Sequence, residues 1–355
     1  MLRPKVKDYY EIVPEAEDRF QLRSSEKTAV LSGAIARDIL SKLLPLLDGT
    51  STVDEIIVRL GLAEKSDLVR EVINRLHQAG FIEDAESVYC SSAFRDAELR
   101  AYQRQLIFFE LATESASGVE YQARLKHTRL AILGAGELAR RVALEAASVG
   151  VGHVFVANCI DDDINALNPW ITFEAGRLPI EDRDAVKEAV TKQEPQLLML
   201  ALDRPEPGLL TWANDLSQDT RLPLLHCQIH GIEAVVGPFV LPGQTACLLC
   251  HHLRVSRNLD YFSEYRAWET WVTKDPRRRR ALTGNLSPLT AMAGGLAVLE
   301  LIKHAAGFYQ PETYGRFVTI NALTLEVTTH DILKLPRCRC GQNGKKSSLS
   351  PWQGL

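Results

Sequence analysis

The sequence has no large excess of either charge and no long uninterrupted run of apolar residues. It contains 41 Lys and Arg against 45 Asp and Glu, which gives a formal net charge of -4. Bulk charge therefore gives no reason to expect a nucleic acid or an anionic membrane as a partner. The longest apolar stretch, residues 292–302, is too short to span a bilayer and is interrupted by Glu300.

Cysteine is sparse, and the first residues carry no apolar segment. Seven cysteines are an odd number spread over 355 residues, which argues against a disulfide framework. The N-terminal residues lack the apolar core of a secretion signal, so we expect a cytoplasmic protein. The chain does have 46% hydrophobic residues, which excludes a disordered protein and allows two or three domains with their own cores.

Residues 1–88 are predicted to form one α+β domain. Short strand patterns at 9–13, 20–22 and 28–33 precede three helical patterns and a closing strand at 81–84. Thr52 and Ser66 are placed to cap the second and third helices. This order is winged-helix-like. The third helix mixes acidic with basic residues, which argues against a nucleic-acid reading helix.

An open strand edge in this domain could bind a peptide. If the strand at 28–31 is an edge, an extended peptide can add to it, with apolar side chains selected by the third helix. The alternative is a dimer or interdomain contact at the same edge. The predicted peptide-binding residues are Thr28, Ala29, Val30, Leu31, Leu68, Val72 and Leu76.

Residues 89–125 are predicted as a helical connector, and residues 126–355 as a Rossmann-like α/β domain. From Leu130 onward, short apolar strands alternate with helices, as in a doubly wound parallel sheet. Strands are predicted at 130–133, 154–157, 197–202, 224–227 and 234–240. A long helix at 287–306 and a hairpin at 317–329 follow.

A glycine turn separates the first strand of this domain from its helix. Gly134 and Gly136 would let the backbone approach a phosphate at the helix N-terminus. The next residue, Glu137, would repel a triphosphate, and Asn158 stands where a ribose-binding acid is expected. Asp203 follows a strand and could bind a nucleotide's metal ion or cap the helix that comes next. The alternative is a turn retained for packing, with no nucleotide.

Two close cysteine pairs form the most specific motif. Cys247 with Cys250, and Cys338 with Cys340, could complete a tetrahedral zinc shell with no position left for water. The second pair has only one intervening residue, so His251 or His252 could replace one sulfur. The other interpretation is four buried thiols. Such a zinc site would be structural.

A series of motifs from about residue 96 to residue 340 resembles the ubiquitin-activating (E1-like, ThiF/MoeB-type) adenylating enzymes. The matching segments are 102–106, which includes Arg104, then 134–136, 150–154, 164–168, 202–203, 242–250 and the helix 287–306. Residues 1–86 resemble a PqqD-type recognition element for ribosomally made peptides. The combination resembles the leader-peptide-binding, E1-like partner of azoline-forming (thiazole/oxazole-modified microcin, TOMM) cyclodehydratases.

The nucleotide motif departs from the active family pattern. Active members carry a glycine at 137, an Asp at 158 and an Arg at 169, where this chain has Glu137, Asn158 and Pro169. The resemblance therefore implies a degenerate nucleotide site at Arg104, Gly134, Gly136, Asn158 and Asp203 that binds ATP poorly or not at all.

The resemblance implies a non-catalytic subunit that presents a precursor peptide to an ATP-using YcaO cyclodehydratase in bacteriocin biosynthesis. Its further implied properties are a structural zinc ion, a flavin dehydrogenase as another partner, and a homodimer. The enzyme alternative is an adenylating protein that activates a peptide or carrier-protein C-terminus. A zinc-stabilised scaffold without a peptide ligand is a third reading, and an NAD-dependent oxidoreductase fits least because the ribose acid is missing.

Overall fold

The computed structural model describes residues 2–85, 94–113, 116–158, 164, 167–179, 182–275 and 283–341. Contacts between Cα atoms divide the chain into two compact units, Met1–Val119 and Glu120–Leu355. Two of the seven cysteines, Cys90 and Cys159, lie outside the described residues. So do the three acids at 161–163, Asn165 of the segment 164–168, and the arginine run at 277–280.

The first unit begins with strands and continues with helices, as predicted. Its strands are β1 Pro4–Val6, β2 Glu11–Ala16, β3 Arg19–Arg23, β4 Thr28–Ser32 and β5 Ile82–Asp84. A helical segment at 36–46 changes from π to α to 3₁₀ geometry, and α1 Val53–Leu60, α2 Ser66–Gln78 and α3 Asp96–Ala112 follow. Strands β2, β3 and β4 form one antiparallel sheet, and β1 pairs with β5.

Local sequence explains the ends of the short helices. Thr52 caps α1 in a reciprocal capping box with Glu55, and Gly61 ends the helix in the left-handed conformation. The prediction that Ser66 caps α2 is wrong. Ser66 is already the first helical residue, because a 3₁₀ turn over Ala63–Lys65 leads into the helix.

The apolar faces of these elements share one core. Leu22 of β3, Ile56 of α1 and Val69 of α2 are fully buried in the same cluster, together with Leu43 from the segment at 36–46. Burial of these side chains stabilises this unit.

The second unit contains an eight-stranded sheet in which five neighbouring strands are parallel. The strands are β6 Arg129–Leu133, β7 His153–Val156, β8 Thr172–Ala175, β9 Leu197–Leu202, β10 Leu224–His230, β11 Glu233–Val240, β12 Arg316–Asn321 and β13 Val327–Asp331. Their order is β13-β12-β11-β10-β9-β6-β7-β8. Strands β8, β7, β6, β9 and β10 are parallel, and β11, β12 and β13 continue the sheet antiparallel.

Seven helices accompany this sheet in the described residues. They are α4 Gly118–Lys126, α5 Glu137–Ser148, α6 Arg183–Lys192, α7 Pro207–Thr220, α8 Leu248–Arg257, α9 Phe262–Lys274 and α10 Ser287–Ala306. The prediction of the Rossmann-type sheet is confirmed, including the exact bounds of β9 and α10.

Helix α10 is, by length and composition, the one described helix that could cross a membrane. Half of its most apolar window is buried within the fold, where the helix packs on α5, β10 and β11. Its Glu300 is 2% exposed and accepts hydrogen bonds from the backbone and hydroxyl of Thr313 at 2.8 and 2.7 Å. These contacts are those of a core helix in a folded unit.

Candidate functional site

The glycine turn and Asp203 meet at the point where the strand order reverses. Strand β6 pairs with β7 on one side and with β9 on the other. In sheets of this kind ligands bind outside the carboxyl ends of the strands at such a point. Gly134 directly follows β6 and Asp203 directly follows β9, so both stand at that edge.

Glycine is needed at 134 and 136 because neighbouring atoms leave no room for a side chain at either position. A Cβ atom on Gly134 would collide with the carbonyl oxygen of Ala201, and one on Gly136 would collide with the carboxylate of Asp203. Gly136 also has φ +132°, which side chains rarely adopt. The backbone therefore turns tightly into α5 and brings the helix N-terminus against Asp203.

Asp203 fills the anion position at the start of α5. Its Oδ2 accepts a hydrogen bond from the Glu137 N–H and its Oδ1 accepts one from the Leu138 N–H, both at 2.8 Å. These donors and the positive end of the helix dipole are the groups that would otherwise hold a phosphate. The prediction that Asp203 caps the following helix is wrong, since α7 has no side-chain cap and Asp203 caps α5 instead.

A second carboxylate, that of Glu137, lies at this turn beside two arginines. The Glu137 side chain is 40% exposed and lies 3.6 Å from Arg140 and 3.8 Å from Arg141. A phosphate arriving at the start of α5 would have to displace the Asp203 carboxylate, which disfavours nucleotide binding. The two arginines offset the charge of Glu137.

The remaining residues of the predicted nucleotide site are dispersed among different elements. Asn158 follows β7 and forms an isolated backbone bridge with Arg177. Arg104 lies on α3 in the first unit, with its side chain exposed. Arg204, which follows Asp203, is paired with Glu206 at 2.6 Å.

The four cysteines of the two pairs converge in the second unit. Their sulfur atoms all lie within 4.8 Å of one another and all four residues are buried. The Sγ of Cys247 is 3.8 Å from that of Cys250 and 3.5 Å from that of Cys338, and Cys250 is 3.5 Å from Cys340. Tetrahedral zinc with bonds of about 2.3 Å separates its sulfur ligands by about 3.8 Å. The cluster therefore fits a zinc ion.

Local structure places these sulfurs. Cys247 immediately precedes α8 and Cys250 lies in its first turn, while Cys338 and Cys340 flank Arg339 in a tight turn. The Leu335 N–H donates to the Cys250 sulfur at 3.3 Å, which is a typical support for a metal-bound thiolate. The bond from the Cys247 thiol to the Cys250 sulfur raises the pKa of Cys247 and lowers that of Cys250.

The two histidines after Cys250 take other roles. His252 Nε2 lies 2.7 Å from the carboxylate of buried Glu269, and the His251 ring packs on Phe317 with centroids 4.5 Å apart. Among the described residues, the metal-compatible group consists of the four cysteines alone. Substitution of a histidine for a sulfur is therefore not supported by this geometry.

The predicted peptide-binding strand is the last strand of its sheet. Strand β4 pairs with β3 on one side, and within the described residues no strand pairs with its other side. Thr28 and Val30 are exposed on this strand, Val30 by 46%, whereas Ala29 and Leu31 are partly buried. The strand thus offers both backbone groups and side chains at its outer edge.

The helix residues predicted to face the peptide differ in exposure. Leu68 of α2 is partly buried against the core. Val72 and Leu76 are only 8% and 4% exposed and belong to the core itself. Of the three residues predicted on α2, only Leu68 is left partly accessible, and Leu31 of β4 is partly accessible as well.

The sequence profile of the ThiF family matches residues 157–342, more than half of the chain. The chain belongs to the ThiF family. It is 23% identical over 275 residues to the molybdopterin-synthase adenylyltransferase of Escherichia coli K12, a match that covers 70% of this chain and 98% of that protein.

Solved structures of low identity share the fold over most of the length. Escherichia coli MccB, crystallised with AMPCPP and MccA, superposes with a TM-score of 0.62 and 16% identity, covering 95% of this chain and 99% of MccB. PaaA superposes with a TM-score of 0.67 and 17% identity, covering 93% and 100%. These likenesses show an E1-like fold.

Proposed function

We propose that this chain binds the leader of a ribosomally made precursor peptide and presents the peptide to a YcaO cyclodehydratase, which forms azolines with ATP. The first unit serves as a PqqD-like, winged-helix-type recognition element. The second unit serves as a docking body with a structural zinc ion. A flavin dehydrogenase and a second copy of the chain belong to the same proposal.

The departures from the active pattern at 137, 158 and 169 carry the non-catalytic part, because Asp203 itself belongs to a segment that matches active members. In this chain the Asp203 carboxylate also accepts hydrogen bonds from the two N–H groups at the start of α5, where a phosphate could otherwise bind. Glu137 replaces the glycine of the active pattern, and Asn158 cannot hold ribose hydroxyls as an acid would. The proposal therefore assigns no ATP to this chain.

The hydrogen-bond alternation of β4 supports the peptide-binding part. The Gly33 N–H donates to the Asp18 carbonyl and the Ser24 N–H donates to the Lys27 carbonyl, so the two pairs that flank the β3–β4 register are hydrogen-bonded pairs. Bonded and non-bonded pairs alternate in antiparallel sheets. The backbone groups of Thr28, Val30 and Ser32 therefore point away from β3, toward the open edge.

Three outward residues can bond an added strand. A peptide aligned along β4 would exchange hydrogen bonds with Thr28, Val30 and Ser32 and place alternate side chains over Leu31 and Leu68. MccB, which shares the fold, was crystallised with MccA. This likeness favours a peptide as the ligand.

Val30→Pro tests this contact because it removes an outward N–H without removing a β3–β4 hydrogen bond. Fluorescence polarisation would use labelled leader peptides from precursors encoded beside this gene. We expect Val30→Pro to weaken binding about tenfold or more. Val30→Thr, which keeps the N–H and the β-branched shape, should bind as the natural chain does.

Failure of every clustered leader to bind would overturn the peptide-binding part, as would equal binding by the two variants. Circular dichroism of both variants checks that the first unit remains folded.

A second candidate function is adenylation of a peptide or carrier-protein C-terminus. It is favoured by membership of the ThiF family and by similarity to an adenylyltransferase. ATP–pyrophosphate exchange separates the two functions. Robust exchange by this chain without a YcaO partner would favour adenylation, and no exchange with a bound leader would favour presentation.

A further inference from the structure

A cavity of about 490 Å³ opens at the edge of the second unit's sheet that lies opposite the glycine turn. It is bounded by α8 and by the start of β12 and the end of β13. Strand β12 runs in the same direction as β10, since both are antiparallel to β11. The start of β12 therefore lies at the amino ends of the parallel strands, away from Asp203.

The charges around this cavity are unbalanced toward the positive. Arg254 and Arg257 line it from α8, and within the described part of the chain neither has a carboxylate partner. Asp331 also lines the cavity, but its Oδ1 is paired with Arg316 at 2.7 Å. An anion is therefore the ligand that the electrostatics favour.

Arg254 is held in a position suited to binding an anion. Its Nε donates to the Leu333 carbonyl at 3.0 Å, which fixes the side chain, while no hydrogen bond donated by its two terminal nitrogens is found in the described residues. A guanidinium fixed through Nε can offer its remaining N–H groups as a fork to a carboxylate or phosphate. Arg257 lies over the Phe262 ring at 4.6 Å, which restricts it without neutralising it.

Flat aromatic rings form another part of the wall. The Phe317 and His330 rings are stacked with centroids 4.7 Å apart and an interplanar angle of 22°. His251 packs on Phe317 from the side of α8. His330 is exposed, and the apolar side chains of Ile332 and Leu335 complete this surface. The wall therefore accommodates a planar ring next to the arginines.

We propose that this cavity binds a small aromatic anion, with its carboxylate or phosphate on Arg254 and Arg257 and its ring against Phe317 and His330. The cavity volume lies in the range of roughly 300–1,000 Å³ that small-molecule sites occupy. The site shares no residue with the glycine turn or with the proposed peptide edge, and it does not depend on either. A mononucleotide and an aromatic acid both present this chemistry.

Isothermal titration calorimetry of the full chain with two charged and two uncharged probes tests the proposal. AMP is compared with adenosine, and benzoate with benzamide, so that each pair isolates the anionic group. We expect saturable binding of AMP or benzoate, and binding of its uncharged counterpart at least about tenfold weaker. Which of the two anions binds distinguishes the nucleotide from the aromatic acid.

Variants of the two arginines test whether the anion binds in this cavity. Arg254→Met and Arg257→Met should each lower the affinity for the anion at least about tenfold. Arg266→Met is the matched control, because Arg266 also lies near the Phe262 ring, at 5.8 Å, but does not line the cavity. Thermal melting checks that all three variants are folded. If Arg254→Met does not fold, Arg257→Met alone tests the site.

The proposal is overturned if neither AMP nor benzoate binds saturably, or if the uncharged probes bind equally well. It is also overturned if Arg266→Met lowers the affinity for the anion as much as the cavity variants do, or if the cavity variants leave that affinity unchanged.

Discussion

Replacing Asp203 with alanine should destabilise the second unit by about 2 kcal/mol. The substitution removes two hydrogen bonds of 2.8 Å from backbone N–H groups to a carboxylate. Loss of a helix cap costs about 1 kcal/mol, and loss of a negative charge at a helix N-terminus costs about 0.3–1 kcal/mol more. Loss of the second hydrogen bond increases the expected destabilisation. Water that reaches the half-buried turn and bonds the freed N–H groups decreases it.

Asp203→Asn provides the matched control. Its amide oxygen can still accept one hydrogen bond, but the charge is lost, so we expect about half the effect of alanine. A difference between the two variants separates the cap from a general disturbance of the turn.

Tryptophan fluorescence during urea unfolding measures this effect in the right unit. All five tryptophans lie beyond residue 119, at 170, 212, 268, 271 and 352, so the signal reports the second unit alone. An unfolding free energy of Asp203→Ala within about 0.5 kcal/mol of the natural chain would refute the capping role.

Two further predictions concern zinc and pH. We expect the natural chain to contain one zinc ion per chain, measured by atomic absorption. Cys338→Ser should lose this zinc and have a lower melting temperature. Cys227→Ser, which changes a buried cysteine outside the cluster, should keep the zinc, and equal loss from both variants would contradict the site. Burial raises the pKa of Glu83 from 4.5 to about 7, so its stabilising contribution is complete below pH 4.5 and is lost as the pH rises through 7. Glu83→Gln should therefore be more stable than the natural chain at pH 8, by up to about 3 kcal/mol, and no more stable near pH 4. Circular dichroism during urea unfolding measures the free energy of unfolding of both proteins. The same difference between them at pH 4 and pH 8 would contradict the raised pKa of Glu83.

Local patterns in the sequence predict much of the fold. The capping box at Thr52 is encoded by residues three apart, and the apolar run of β9 fixes a strand buried on both faces. Helix α6 and strand β8 were missed because they are short and mostly polar, and their positions depend on the sheet they join.

The decisive features of the site depend on contacts distant in sequence. Asp203 caps a helix that begins 66 residues earlier, so no local pattern predicts the pairing. The cysteine cluster was predictable because each pair is local, although Cys247 and Cys338 are 91 residues apart. The cavity beside Arg254 was missed because its wall joins α8 to a hairpin far along the chain.

Reconstitution with the YcaO protein tests the central claim most directly. A clustered precursor, ATP and the YcaO protein are incubated with and without this chain, and the precursor mass is measured. The account predicts loss of one water per azoline only when both proteins are present, with slower conversion by Val30→Pro than by Val30→Thr. Equal conversion without this chain, or AMP and pyrophosphate formed by this chain alone with the peptide, would contradict it.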